Sequence, residues 1–280
     1  LMTHQSLQER PPVRPTETAR CSFWATVALF AVLPLSTSSA QSYVTSWIGN
    51  TYGGGKTNKF VAQDAKDACV TADGKVICGT WWDEGQREVA VYWNGGVQDL
   101  NNRPKCLAVA TDNSSLYHTD IGKIFKYRLL NFFSQDTVVA DTTYILGLAC
   151  AKGRLYASIR SRNLIRVYST ATLDPVDSFP VVKPRKLAVD TAGKVWVIVD
   201  SAGGGNLAPG AGARVICFVN GVETARITGL LMPTAIAIDN KNRLLIADSG
   251  PGREHIRIYS TGASPALVGT FGRSIFAGDQ

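Results

Sequence analysis

A unit of roughly forty residues recurs along this chain, and that period restricts the fold more than any bulk property does. The clearest copy is PTAIAIDNKNRLLIADSGPGREHIRIYSTGASPALVGTFG, from Pro233 to Gly272. Ala235 to Ile238 and Leu244 to Ala247 are β-rich runs joined through Asp239-Asn240-Lys241-Asn242, a turn that Asn can close by accepting a left-handed backbone. His255 to Tyr259 alternates apolar and polar residues as a third strand, and Ala266 to Phe271 supplies a fourth. Similar inner hairpins begin at Ala68, Leu107, Leu148 and Leu187. Taken as equivalent to Ile236, these positions are spaced by 39, 41, 39 and 49 residues, and the long last step contains the loop-like insertion GGGNLAPGAG at 203–212. Four strands per unit at this period predict an all-β β-propeller, in which a blade's faces are buried only by neighbouring blades.

Ahead of the repeats, residues 1–22 carry Arg10, Arg14 and Arg20, then Phe23 to Leu35 is almost wholly apolar, and small residues follow up to Ala40. This order predicts a secretory signal at 1–40, cleaved after Ala40, with the propeller in 41–280 and a secreted or periplasmic location. The apolar core is too short to span a bilayer and contains Pro34, so membrane association is expected only through the uncleaved signal. The chain's net charge of +7 is reduced by one when the signal's three Arg and two Glu are removed. With no Lys/Arg run longer than two, nucleic acid is not an expected partner.

Tyr43 to Ile48 reads as one isolated outer strand before the first full unit, and the chain ends at Gln280 just after another outer strand. Propellers protect their sheet edges by closing the ring. The expectation is therefore five recognisable blades of an incomplete six-bladed ring, with natural sequence continuing past Gln280; a compact five-bladed ring is the alternative.

The most distinctive loop is Gly79-Thr80-Trp81-Trp82-Asp83-Glu84-Gly85-Gln86-Arg87-Glu88. Trp81 and Trp82 beside Asp83 and Glu84 are what a sugar-binding face uses, since rings stack on pyranose faces and carboxylates accept hydroxyl hydrogen bonds. The competing reading has one Trp packing between blades while Asp83 caps its loop. Acidic residues recur at comparable places, Asp83, Asp120, Asp200 and Asp248, with Arg160 in the third unit. Such a residue can accept backbone N–H groups of the loop without any ligand. Lys105 and Arg185, with Lys66 nearby, precede inner strands and are expected to converge on a cationic mouth suited to an anionic ligand such as a uronate. Of six cysteines, Cys21 lies in the signal. In CVTADGKVIC a two-residue type I′ turn at Asp73-Gly74 would set Cys69 opposite Cys78, within reach of a cross-strand disulfide.

The units resemble NHL repeats, most clearly in PTAIAIDNKNRLLIADS…IRIYS…VGTFG and next in RKLAVDTAGKVWVIVDS. The resemblance covers most of the chain after residue 60; it implies the propeller fold and leaves function open, because the family hosts many activities. The SWIGN and WDEGxxE stretches are similar to secreted bacterial propellers found beside carbohydrate-active modules. In blade layout the chain also resembles gluconolactonase-like six-bladed propellers, which bind a divalent metal through Glu, Asn and Asp. Where that family has Pro-Asn-Gly and Pro-Asp-Gly, this sequence has Pro104-Lys105-Cys106, Pro184-Arg185-Lys186 and Pro233-Thr234-Ala235, and Lys and Arg do not ligate metals. Peptidyl-hydroxyglycine lyases need several His ligands, and after the signal only His118 and His255 remain. The expected function is accordingly a binding or scaffold module for a glycan or protein ligand, without a cofactor. The alternative is a metal-dependent lactone hydrolase with a divergent or incomplete site.

Overall fold

A computed structural model describes residues 65–81, 89–93, 96–101, 106–129, 131–139, 144–201, 212–250 and 255–272. They form five four-stranded antiparallel sheets. Blade 1 comprises β1 (Ala65–Val70), β2 (Val76–Thr80), β3 (Val89–Trp93) and β4 (Gly96–Asn101); blade 2 comprises β5 (Val109–Thr111), β6 (Ser115–Asp120), β7 (Lys123–Arg128) and β8 (Asn131–Val139). Blade 3 is β9 (Ile145–Ala151), β10 (Arg154–Ile159), β11 (Leu164–Ser169) and β12 (Pro175–Pro180). Blade 4 is β13 (Pro184–Val189), β14 (Val195–Val199), β15 (Arg214–Val219) and β16 (Val222–Ile227). Blade 5 is β17 (Pro233–Ile238), β18 (Leu244–Asp248), β19 (His255–Tyr259) and β20 (Leu267–Phe271). The inner strands β1, β5, β9, β13 and β17 stand side by side in chain order, as a β-propeller requires. The expected strand Tyr43 to Ile48 lies outside the described residues.

The core sits between blades, because a second strand buries both of its faces. In β14, Val-Trp-Val-Ile-Val, Val197 packs toward blade 3 with Tyr156, Ile165 and Phe179, while Trp196 and Ile198 pack toward blade 5 with Leu244, Ile246 and Tyr259. Ile77 and Val91 of blade 1 meet Leu116 and Phe125 of blade 2, and Tyr117 and Ile124 of blade 2 meet Leu148 and Leu155 of blade 3. That double burial explains why these strands read as continuous apolar runs rather than as a clean alternation.

Most inner hairpins turn through three residues with one left-handed position. The Thr71, Asp190 and Asp239 N–H groups donate to the carbonyls of Lys75, Lys194 and Arg243, and Gly74, Gly193 and Asn242 take φ of +87°, +91° and +57°. Asn242 thus closes its turn as expected from the sequence. The turns are also linked from blade to blade: the Ala72 N–H donates to Asn113 Oδ1, Lys152 Nζ to the Ala192 carbonyl, and the Thr191 N–H to Asn242 Oδ1.

Two expectations change here. A type I′ turn needs two successive positive φ angles, and in blade 1 only Gly74 has one, so the turn is one residue wider. The wider turn is closed by the Lys75 N–H donating to Thr71 Oγ1 at 2.9 Å. Ala68 then faces Cys78 and Cys69 faces Ile77, which puts the two cysteines on opposite faces of the sheet, and both are free thiols. The second change concerns blade 2. Its shorter turn pairs Thr111 with Leu116, so that counting back from the turn makes Val109, rather than Leu107, the equivalent of Ala68 and Leu187. By that register Leu107 stands where Arg185 stands in blade 4, and Lys105 does not.

Candidate binding site

The inner strands enclose a cavity of about 320 Å³ on the axis, lined by segments of all five blades. Its charge comes from one pair. Lys186 of β13 reaches across to blade 1, where its Nζ lies 3.0 Å from Asp67 Oδ2, and it also donates to the Leu107 carbonyl just ahead of β5. Asp67 in turn accepts the Val109 N–H at 3.1 Å and the Ala68 N–H at 3.1 Å. Three blades are therefore tied through two side chains. Burial pushes the Asp67 carboxyl above the ordinary carboxylate range, and the Lys186 charge with the N–H donors offsets only part of that. Cys69 and Cys150 also line the cavity; burial holds both thiols well above the ordinary thiol range, so neither is an activated nucleophile.

Around the mouth lies the entry face, where inner strands begin and second strands end. Trp81, directly after β2, packs edge-to-face on Tyr144, directly before β9, with ring centroids 5.3 Å apart. The pair joins blade 1 to blade 3 and both members are half-buried, leaving aromatic surface on that face. At the seam of blades 3 and 4, Asp200 accepts from Arg160 Nη2 at 2.7 Å and from Arg185 Nη1 at 3.0 Å, with its carboxylate fully buried. Arg160 is held by a 3₁₀ turn, Arg160–Arg162, that ends in a left-handed Asn163. In blade 5 the Asp248 carboxylate accepts the N–H groups of Leu231 and Met232, at 3.1 and 2.7 Å. This is the loop-capping role foreseen for the recurring acidic residue. In blade 2 the Thr119 hydroxyl takes that part, accepting from the N–H groups of Leu107 and Ala108.

The sequence-stated candidates thus fare differently. Trp81 stands on the entry face against an aromatic partner; Trp82, Asp83, Glu84 and Lys105 lie outside the described residues. Arg185 is buried and bonded to Asp200 instead of pointing into the axis, and its neighbour Lys186 is the cation that enters the cavity. Tyr144, Asp67 and Lys186 were missed. For the last two the available signal was an opposite charge one residue before the aligned Ala68 and Leu187. Among the described residues no group of three or more His, Cys, Asp or Glu is placed to hold a metal ion.

No family model matches the chain, and no curated protein matches it in sequence. Solved structures do resemble it. A chain in a crystal structure of a nidogen/laminin complex shares 13% identity at a TM-score of 0.57, covering 77% of this chain and 80% of that one. A chain of a mitotic checkpoint complex shares 10% at 0.55, covering 75% and 65%. Virginiamycin B lyase from Staphylococcus aureus shares 11% at 0.51, covering 78% and 70%. At these identities the likeness is one of fold, and it is to β-propellers.

Proposed function

We propose that this chain is a secreted NHL-type binding module that engages a cell-surface glycan or protein through the entry face of its propeller. The observation that carries this reading is the half-exposed Trp81–Tyr144 pair, an aromatic patch built from two non-adjacent blades beside the axial mouth. Aromatic rings at a surface supply apolar contact area at little entropic cost and stack on sugar faces, which suits recognition. Two structures of similar fold carry titles naming assemblies, a nidogen/laminin complex and a mitotic checkpoint complex, which fits a scaffold role. The signal-like residues 1–40 support secretion.

The hydrolase reading is weaker at this site. The axial position nearest a metal-ligand role is occupied by Lys186, whose charge repels a cation. The test is a glycan array and a panel of extracellular-matrix proteins, each probed with wild type and Trp81→Ala. Binding reduced about tenfold or more by Trp81→Ala, at an unchanged melting temperature, is the expected outcome, since one buried aromatic anchor contributes on the order of 1–2 kcal/mol or more. Binding indifferent to Trp81→Ala would remove the entry face from the account. Lactone turnover that responds to added divalent metal would replace the reading with the hydrolase.

A further inference from the structure

Every blade presents two apolar faces, and four of the interfaces between them are filled in this chain. At the position occupied by Trp196 in blade 4, blades 1, 2 and 3 carry Ile77, Tyr117 and Tyr156, all buried against the next blade. Blade 5 carries Leu245 there, and it is only half-buried. The same face of blade 5 continues across its strands in register, from Ala237 and Leu245 to Ile258, and from Ala235 and Ala247 to Ile256 and Phe271. Phe271 is 55% exposed. A hollow of about 350 Å³ lies on this face between Ala247, His255, Ile256 and Phe271.

Blade 1 shows the complementary defect. Leu116, Leu155, Val195 and Leu244 occupy one equivalent position in blades 2 to 5 and are at most 4% exposed, whereas Val76, their counterpart in blade 1, is 39% exposed. Its cross-strand partner Val70 is 61% exposed. These two faces belong to the first and last inner strands of the series, and both β1 and β17 line the axial cavity. They are the two walls of one opening in the ring.

We propose that this opening is the seat of a sixth four-stranded blade of the same repeat, the one the sequence reading expects beyond Gln280. Three observations select that occupant. The exposed positions on the two walls are the two halves of the interface that occurs four times within the chain, so the piece that fits carries aliphatic or aromatic residues on both faces. Its inner strand must run beside β17 and β1 as the other inner strands run beside one another. A second copy of the whole chain does not fit, because its own blade 1 or blade 5 comes flanked by a neighbour and only a single sheet enters between two walls. The sixth blade completes the wall of the axial cavity and extends the entry face next to Trp81.

The experiment compares the 41–280 chain with the same chain carrying a second copy of residues 144–181, which span blade 3, fused after Gln280. The 41–280 chain is expected to bind 8-anilinonaphthalene-1-sulfonate while folded. The fused blade is expected to cut that fluorescence at least threefold, raise the melting temperature by about 5 °C or more, and become resistant to trypsin. In the unfused chain, Ile256→Lys and Val76→Lys are expected to lower dye binding and to shift the melting temperature by less than about 2 °C, since both side chains border open space. The proposal is overturned if the unfused chain binds no dye, or if either Lys variant melts many degrees lower, because each result means the walls are already covered. It is equally overturned if the fused blade is trimmed away with no gain in stability, or if dye binding falls only with rising protein concentration, which identifies a second copy as the occupant. Loss of ligand binding by Trp81→Ala has no bearing on these outcomes, so the two readings fail separately.

Discussion

Lys186 and Asp67 are the side chains on which most of the axial arrangement rests. Each is largely shielded from water, with 15% and 18% of its side chain exposed, and each has oxygen or nitrogen partners from other blades. Removing one member of such a pair leaves the other charge unsatisfied, whereas removing both with apolar replacements of similar size is often close to neutral. Lys186→Met is therefore expected to lower unfolding stability by about 2–4 kcal/mol at pH 7, and Lys186→Met with Asp67→Leu to recover more than half of that. Chemical denaturation of the three proteins checks both numbers. The pH dependence has a definite sign. A carboxyl whose folded pKa lies above its unfolded value favours the folded state in its protonated form, and that contribution is lost as pH rises through the folded pKa. The Lys186→Met penalty should thus shrink as pH is lowered into the carboxylate range, where Asp67 takes up its proton. A penalty constant with pH would mean that Asp67 is not the group left unpaired.

At the scale of strands and turns, the close approach of blades 3 and 4 depends on Gly147. A Cβ built there would lie 2.5 Å from the Arg185 carbonyl oxygen and 2.9 Å from Lys186 Cα, both backbone atoms that cannot step aside. Gly147→Ala is expected to cost about 2–3 kcal/mol and to loosen the axial pair, measurable as a fall in denaturation midpoint; a neutral outcome would contradict the observed strand spacing. The register of β1 and β2 makes a second prediction. With Cys69 and Cys78 on opposite faces, peptide mapping should find them as separate thiols. Burial pushes the Cys78 thiol up to about 11 and Cys106 up to about 12, so alkylation at neutral pH should be slow until the protein unfolds. A Cys69–Cys78 disulfide in the mapped peptides would overturn the register.

These elements also show what the amino-acid order does and does not reveal. The period, the runs such as Val-Trp-Val-Ile-Val and the left-handed Asn242 were legible because each depends on local patterning. The width of the Thr71–Lys75 turn was not, because Asp-Gly suits two turn types and a threonine hydroxyl decides between them. The Asp67–Lys186 contact and the Trp81–Tyr144 stack were illegible for another reason. Each joins blades that are not neighbours in sequence, and repeat alignment equates positions without saying which ones meet across the axis.

For the molecule as a whole, the central claim is that the chain is a linear run of blades, each stabilised mainly by the blade on either side, with its two end members each half-covered. Stability in such an array is close to a sum of blade and nearest-neighbour terms, so it should fall toward both ends. The most direct measurement is native-state amide hydrogen exchange on the 41–280 chain, followed strand by strand. The account predicts the strongest protection in β10 and β14, whose faces are buried on both sides, and protection at least tenfold weaker in β2 and β18, whose outward faces carry Val76 and Leu245. Equal protection of the second strands in all five blades would contradict it.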